Sequence, residues 1–403
     1  MPAMLRALPA LILFSACAED WAHRSVRVGP NEFPVMAWSG SPTDAESLRL
    51  MKEAGLNITG FCRVEELDQV RDAGLACIVS GTPLEAMIDK PETTDAEIRA
   101  AVTALAARIG SHPAAFGVYL RDEPNAKQMP MIGRLAAALR AAMPNKLAYV
   151  NLFPNYANRE QLGTADYEAY VKTYLTTVKP RVLSWDNYSL TDGEMQPSFY
   201  DNLETARRLA MEARIPFWNC ILATALFRYM EPSDATFSLQ VYATLAYGGS
   251  GIQYFTYFSA DNGNFRLAAI DHYGNRTATW DVMRRANNQV HALAPTMAKL
   301  RSTGVYHWPV TTAAGTPLLK DIKTSGKLLV GEFVDGGGRP YVMLVNKSLK
   351  ESFSFRLETW KAGATVQRVS PVTGKEAGFG GESNWLAPGG GMLLRIGDAT
   401  AAQ

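Results

Sequence analysis

The segment Phe116-Gly-Val-Tyr-Leu-Arg-Asp-Glu-Pro124 closes an apolar run with two adjacent acids, Asp122 and Glu123. A carboxyl can give a proton to a leaving oxygen when its pKa lies near the working pH. A second acid beside it pushes that pKa up by like-charge repulsion, provided the side chains are close. The plain alternative is that Asp-Glu-Pro opens a surface helix, with Pro in its first turn. The position of the dipeptide, at the end of a strand-like run, favours the chemical reading.

Whether these acids meet other groups depends on the elements that carry them. From about Pro34 to Phe258, short apolar runs alternate with amphipathic stretches, which predicts a parallel sheet covered by helices. The runs occupy 33–38, 57–62, 75–80, 116–121, 147–153, 182–186, 216–222 and 251–258. Helix signals fall between them. Thr43-Asp44 precedes a helix over 45–54, stopped by Gly55, and Thr94-Asp95-Ala96-Glu97 is a capping box opening a helix to Ile109. Further helices are expected over 64–73, 131–142, 200–213, 233–247 and 277–301. Eight strand–helix units over roughly 250 residues are the arithmetic of a (β/α)8 TIM barrel. No G-x-G-x-x-G follows the first run and no G-x-x-x-x-G-K occurs, so an open nucleotide-binding sheet is disfavoured. Beyond Pro309, β-type runs broken by Gly clusters predict a small all-β sandwich. The expected organisation is a leader over 1–18, a barrel over 19–308, a sandwich over 309–398 and a frayed tail over 399–403.

In a barrel, function sits at the C-terminal ends of the strands. Residues expected there are Trp38, Asp122, Glu123, Asn151, Asp186, Asn187, Tyr188, Trp218, Asn219, Tyr257 and Asp261. This is a rim of carboxylates, amides and aromatics with few cations. It suits a sugar, whose C–H faces stack on rings while its hydroxyls bond to carboxylates and amides. Phosphate chemistry would ask for Lys, Arg or a metal cluster.

The stretch around Glu123 resembles the acid/base position of clan A (β/α)8-barrel glycoside hydrolases. Leu245 to Tyr257, Asn275-Arg276-Thr277, Tyr341 to Asn346 and Leu386-Ala-Pro-Gly are similar to the last strand, the next helix start and the terminal sandwich of bacterial members. The resemblance implies hydrolysis of an oligo- or polysaccharide by two carboxyls across the scissile bond, with no cofactor. The chain departs from that pattern twice. Asp122 stands where an Asn that bonds the sugar 2-hydroxyl is usual, and the seventh run, 217–225, has no acid where a nucleophilic Glu is usual. Asp186 or Glu231 are the alternatives for the second carboxyl, Asp186 being slightly favoured, and Asp186 as a purely structural hydrogen bonder stays open. Two other readings remain: a sugar-binding barrel that does not cleave, and a metal-assisted hydrolase using Asp122, Glu123 and Asp186.

Composition narrows the partners. Lys plus Arg is 40 and Asp plus Glu is 39, giving a net charge of +1, so no global field draws the chain to nucleic acid or anionic lipid. Met1 to Ala18 has Arg6, an apolar run and small residues, the layout of a secretory leader too short to span a bilayer. Cleavage after Ala18 gives a soluble exported protein; a lipobox reading of Phe14-Ser-Ala-Cys17 makes Cys17 a lipid anchor. The remaining Cys62, Cys77 and Cys220 are expected as buried free thiols, although one bridge is permitted. The five His residues have no H-x-x-x-H spacing, and Tyr167, Tyr170 and Tyr174 are expected on a packed helix face.

Overall fold

The computed structural model describes residues 33–261, 263–309, 315–379 and 384–399. The leader, the Cys17 anchor and the tail 400–403 lie outside the described residues.

Eight parallel strands form the first sheet: β1 Val35–Ala37, β2 Ile58–Cys62, β3 Ala76–Val79, β4 Ala115–Asp122, β5 Leu147–Asn151, β6 Leu183–Asp186, β7 Phe217–Leu222 and β8 Gly251–Phe255. β1 pairs with β8, and a bridge between Leu152 and Trp185 joins β5 to β6, so the sheet closes into a barrel. Alternation along each strand sorts side chains by period two. Met36, Ile58, Ala76, Ile78, Leu147, Tyr149, Val182 and Trp218 form the inner core, while residues such as Val35, Cys77, Val150, Trp185 and Tyr254 pack against the helices.

The helices begin where capping chemistry predicts. α1 Ala45–Glu53 starts on Asp44, whose side chain accepts from the Glu46 and Ser47 amides; α2 is Leu67–Asp72 and α3 Pro83–Met87. α4 Asp95–Ile109 starts on Thr94, with Glu97 completing the capping box. α5 Met129–Ala142, α6 Arg159–Leu162, α7 Tyr167–Val178, α8 Pro197–Ala213, α9 Asp234–Ala246 and α10 Ala278–Met297 follow. Tyr170 and Tyr174 are fully buried on α7, as its helical spacing predicted.

The last expected helix stops at Met297. Arg301–Trp308 is instead a strand, β9, at the edge of the sandwich's larger sheet. β10 Leu319–Thr324, β11 Leu328–Val334, β12 Pro340–Asn346, β13 Phe353–Thr359, β14 Ala364–Val369, β15 Glu376–Gly378, β16 Asn384–Leu386 and β17 Gly391–Ala399 complete it. The larger sheet runs β9-β11-β12-β17-β14-β15 and the smaller β10-β13-β16. Trp308, Val330, Leu344, Phe355 and Leu394 fill the space between them. The outer face of the larger sheet lies on α9. Gly331 permits that approach, because a Cβ there would fall 2.1 Å from the Ala246 carbonyl oxygen.

Cys62 and Cys77 are joined by a disulfide, which corrects the expectation of free thiols. They occupy adjacent strands β2 and β3, both on the helix-facing side, with Cα atoms 6.2 Å apart, within bridging range. Cys220 is free and buried.

Candidate active site

β4 delivers the acidic pair to the barrel mouth. Asp122 is its last residue, in register with Asn151 on β5, and the Glu123 N–H extends the ladder by donating to the Asn151 carbonyl at 2.8 Å. Glu123 has φ of 46°, a left-handed conformation that costs a residue with a Cβ about 1 kcal/mol or more. The surroundings hold it there. The Tyr170 hydroxyl on α7 donates to the carbonyl of the next residue, Pro124, at 2.8 Å. The turn therefore aims a carboxyl that a regular strand would not present.

β6 supplies the third acid. Val182, Ser184 and Asp186 share the inward face, and Asp186, at 6% exposure, tops that row. Asn151 links the acids. Its Nδ2 donates to Asp186 Oδ1 at 2.8 Å and to Asp122 Oδ1 at 3.3 Å, while its Oδ1 accepts from the Ser184 hydroxyl at 2.9 Å. Below Ser184, Gln253 Nε2 donates to its Oγ at 2.7 Å, and the Tyr149 hydroxyl donates to Gln253 Oε1.

Burial dominates the electrostatics. It pushes Glu123 up to about 7, with Asp122 adding repulsion, and Asp122 up to about 6 against the opposing bond from Asn151. Asp186 is driven well above the carboxylate range by burial first, then by Glu123 and Asp122. Among the described residues, none of the three carboxyls forms an ion pair with Lys, Arg or His. Nearby Arg121 is held by Asp89, Arg228 by Asp192, and Arg266 faces Glu231. Three acids without a cation cannot all ionise near neutrality, so the cluster keeps a proton. Among the described residues no group of three or more His, Cys, Asp or Glu has the arrangement of a metal site, so the metal-assisted reading gains no geometric support.

An aromatic wall stands over the acids. Trp38 packs on Phe61 at 5.3 Å and on Phe255 at 5.9 Å; Tyr188 stacks on Phe255 at 4.9 Å and meets Tyr229 edge-on at 6.0 Å. The Tyr188 N–H donates to the Tyr156 hydroxyl, and Tyr156 is half exposed. Tyr156 and Tyr229 both feel the charges of Asp186 and Glu123, which places them beside the cluster. The sequence reading missed Phe61, Tyr156, Tyr229 and Phe255. Strand alternation would have found Phe255, two residues beyond the inward Gln253; the two tyrosines sit in loops and leave no such signal.

The structure thus brings together Trp38, Asp122, Glu123, Asn151, Asp186 and Tyr188. It places the other expected site residues elsewhere. Trp218 is fully buried in the barrel floor, 6.0 Å from Phe116, where Gly251 leaves room for its ring; a Cβ at 251 would lie 2.3 Å from it. Asn219 points outward, and its Nδ2 donates to Thr244 on α9 at 2.9 Å. Tyr257, past the end of β8, is buried in the helix-facing core with Trp280 and Arg276 beside its hydroxyl. Glu231 is exposed, 3.9 Å from Arg266, and Asp261 is exposed on the loop after β8. Leu222 ends β7, and Ala223 and Thr224 follow it without a carboxyl.

No family model and no curated protein matches the chain. Solved structures do. A glycoside hydrolase aligns with TM-score 0.52 at 12% identity over 92% of this chain and 93% of its own. A glycoside hydrolase family 5 protein from Bacteroides vulgatus aligns with TM-score 0.52 at 12% identity, covering 91% and 89%. A β-galactosidase from the psychrophilic Marinomonas ef1 gives TM-score 0.50 at 13% identity over 66% of this chain, which spans 62% of that protein's length. What the chain shares with them is architecture: its (β/α)8 barrel and C-terminal β-sandwich together have the fold of glycoside hydrolases that align over about nine-tenths of its length.

Proposed function

We propose that the chain is an exported glycoside hydrolase in which Glu123 donates a proton to the glycosidic oxygen and Asp186 is the second carboxyl. The observation that carries this reading is the convergence at the strand ends of Glu123 with Asp122 and Asp186, the latter two bridged by Asn151, with no ion-paired cation among the described residues and an aromatic wall beside them. Glu123, poised near 7, holds a proton that it can release at neutral pH. Cleavage develops positive charge on the sugar ring. That charge relieves the repulsion among the acids, so the cluster is better matched to the transition state than to a neutral ground state. Tyr188, Trp38 and Tyr156 offer faces for the sugar rings. The substrate is an oligo- or polysaccharide.

A panel of plant and microbial glycans, read for released reducing ends, tests the reading. Glu123→Gln should lower turnover on the best substrate by about 10²–10⁴-fold with the fold intact. In the parent, kcat/KM should fall above pH 7 as Glu123 loses its proton. Unchanged turnover in Glu123→Gln would remove the assignment. The acid-free end of β7 favours a second reading, a barrel that binds glycans without cleaving them. Calorimetric binding without any product across the panel would select it.

Export rests on the leader-like segment 1–18, and the Cys62–Cys77 bridge is in keeping with an oxidising compartment. The mass of the mature protein separates a soluble form starting at Glu19 from one lipidated on Cys17.

A further inference from the structure

The polar column beneath the acids has a direction. Tyr149 and Gln253 sit below Ser184, Ser184 below Asn151, and Asn151 below two of the three carboxyls. The amide oxygens can only accept, which draws a hydroxyl proton to each. The Tyr149 hydroxyl, which also lies 3.1 Å from Ser184 Oγ, donates to Gln253 Oε1. Gln253 Nε2 donates to Ser184 Oγ at 2.7 Å, so the single Ser184 proton is free to go to Asn151 Oδ1 at 2.9 Å. With its oxygen so occupied, Asn151 turns both Nδ2 protons upward, to Asp186 and Asp122. Tyr149, Ser184, Asn151 and Gln253 are all buried, so water does not substitute for a lost link. An amide N–H aimed at a carboxylate favours its charged form, whereas a turned amide would present oxygen and favour the neutral acid. Glu123 receives no such bond from Asn151's side chain; its one link to that residue is through the backbone.

We propose that Ser184, Gln253 and Tyr149 are positioning residues that lock the Asn151 amide with its N–H groups toward Asp122 and Asp186, opposing the rise that burial imposes on both acids. Turning the Asn151 amide would break the Ser184 bond and withdraw both N–H groups from the acids. Other titratable groups face the cluster: Cys220 and Tyr188 beside Asp186, Tyr119 beside Asp122, and Tyr156 and Tyr229 near Glu123 and Asp186. Burial raises all five, so they stay neutral over the range in which the carboxyls titrate.

The lock on the Asn151 amide does not depend on the hydrolase reading. The test is carbon-13 NMR titration of the Asp122, Glu123 and Asp186 carboxyls in the full chain, with Ser184→Ala and the milder Tyr149→Phe. In Ser184→Ala, the Asp122 and Asp186 midpoints should rise by about one pH unit and the Glu123 midpoint should fall. Tyr149→Phe should move them the same way by less. Ser184→Thr, which keeps the hydroxyl, should restore the parent titration. Where turnover is found, the acid limb of its pH profile should follow the Asp midpoints. Midpoints unmoved in a folded Ser184→Ala protein overturn the proposal. Should Ser184→Ala fail to fold, Tyr149→Phe decides by the same criterion. Moved midpoints in a protein with no turnover on any glycan would keep the column and sink the hydrolase.

Discussion

The barrel mouth and the sandwich each bury an acid, and they do so differently. Glu332 on β11 is almost fully buried, its Oε1 taking bonds from the Thr316 hydroxyl and from the Leu318 N–H at 3.1 Å. Burial raises it, and the titratable group that feels its charge is Tyr306. At the mouth, two of three acids share one amide, the third stands beside them, and a wall of rings is near. A raised carboxyl is therefore not in itself the mark of a site. Glu332 pins a loop to a sheet, whereas Asp122 and Glu123 at the mouth stay partly exposed. What distinguishes the two is company and access, not burial.

Substitutions can break that contrast. The largest expected effect is on turnover. Asp186→Asn should lower it by about 100-fold or more, as for a group acting on the reacting atoms, while Glu332→Gln should leave it unchanged. Equal losses in both, measured on the best glycan, would erase the distinction. A smaller effect concerns stability against pH. Glu123 binds its proton more tightly folded, near 7, than at its ordinary 4.5, so its favourable contribution is complete below about 4.5 and is lost as pH rises through 7. Glu123→Gln should match the parent at pH 4 and exceed it at pH 8 by about 1–2 kcal/mol, the shift being discounted for a half-exposed side chain. Urea unfolding at the two pH values reads this directly. The smallest effect is at Glu332. Its raised pKa has the same sign, so Glu332→Gln should gain stability as pH rises, by about 1 kcal/mol or less, because Thr316 and Leu318 can keep bonding the amide oxygen. A loss at pH 8 would mean that the charge itself holds the loop.

The two regions also differ in how far the sequence discloses them. The eight strands were visible as apolar runs, and the acids at 122, 123 and 186 were visible because each interrupts such a run at its end. Which way a strand residue faces was harder to read. Asn219 and Trp218 are neighbours on β7, one turned to the helices and one to the barrel axis, and the run 217–222 is apolar enough to hide that phase. Depth was hidden as well, since Trp218 faces inward but lies on the floor rather than at the mouth. Tyr257 was assigned to a strand that in fact ends at Phe255. The disulfide was missed because partners fifteen residues apart become neighbours only once β2 and β3 are paired. The hydrogen-bonded column under Asn151 draws on β5, β6 and β8, and no local pattern announces a contact that spans about a hundred residues of chain.

The seat of the sandwich on α9 has a consequence for evolution and engineering. That helix is buried on nearly every side, with β7 and α10 on one flank and the terminal sheet on the other. A shortened chain ending after α10 would bare its apolar flank to solvent, inviting self-association. The terminal module is best regarded as a missing wall of the barrel rather than a detachable accessory, and grafting this scaffold onto another catalyst means carrying both pieces together.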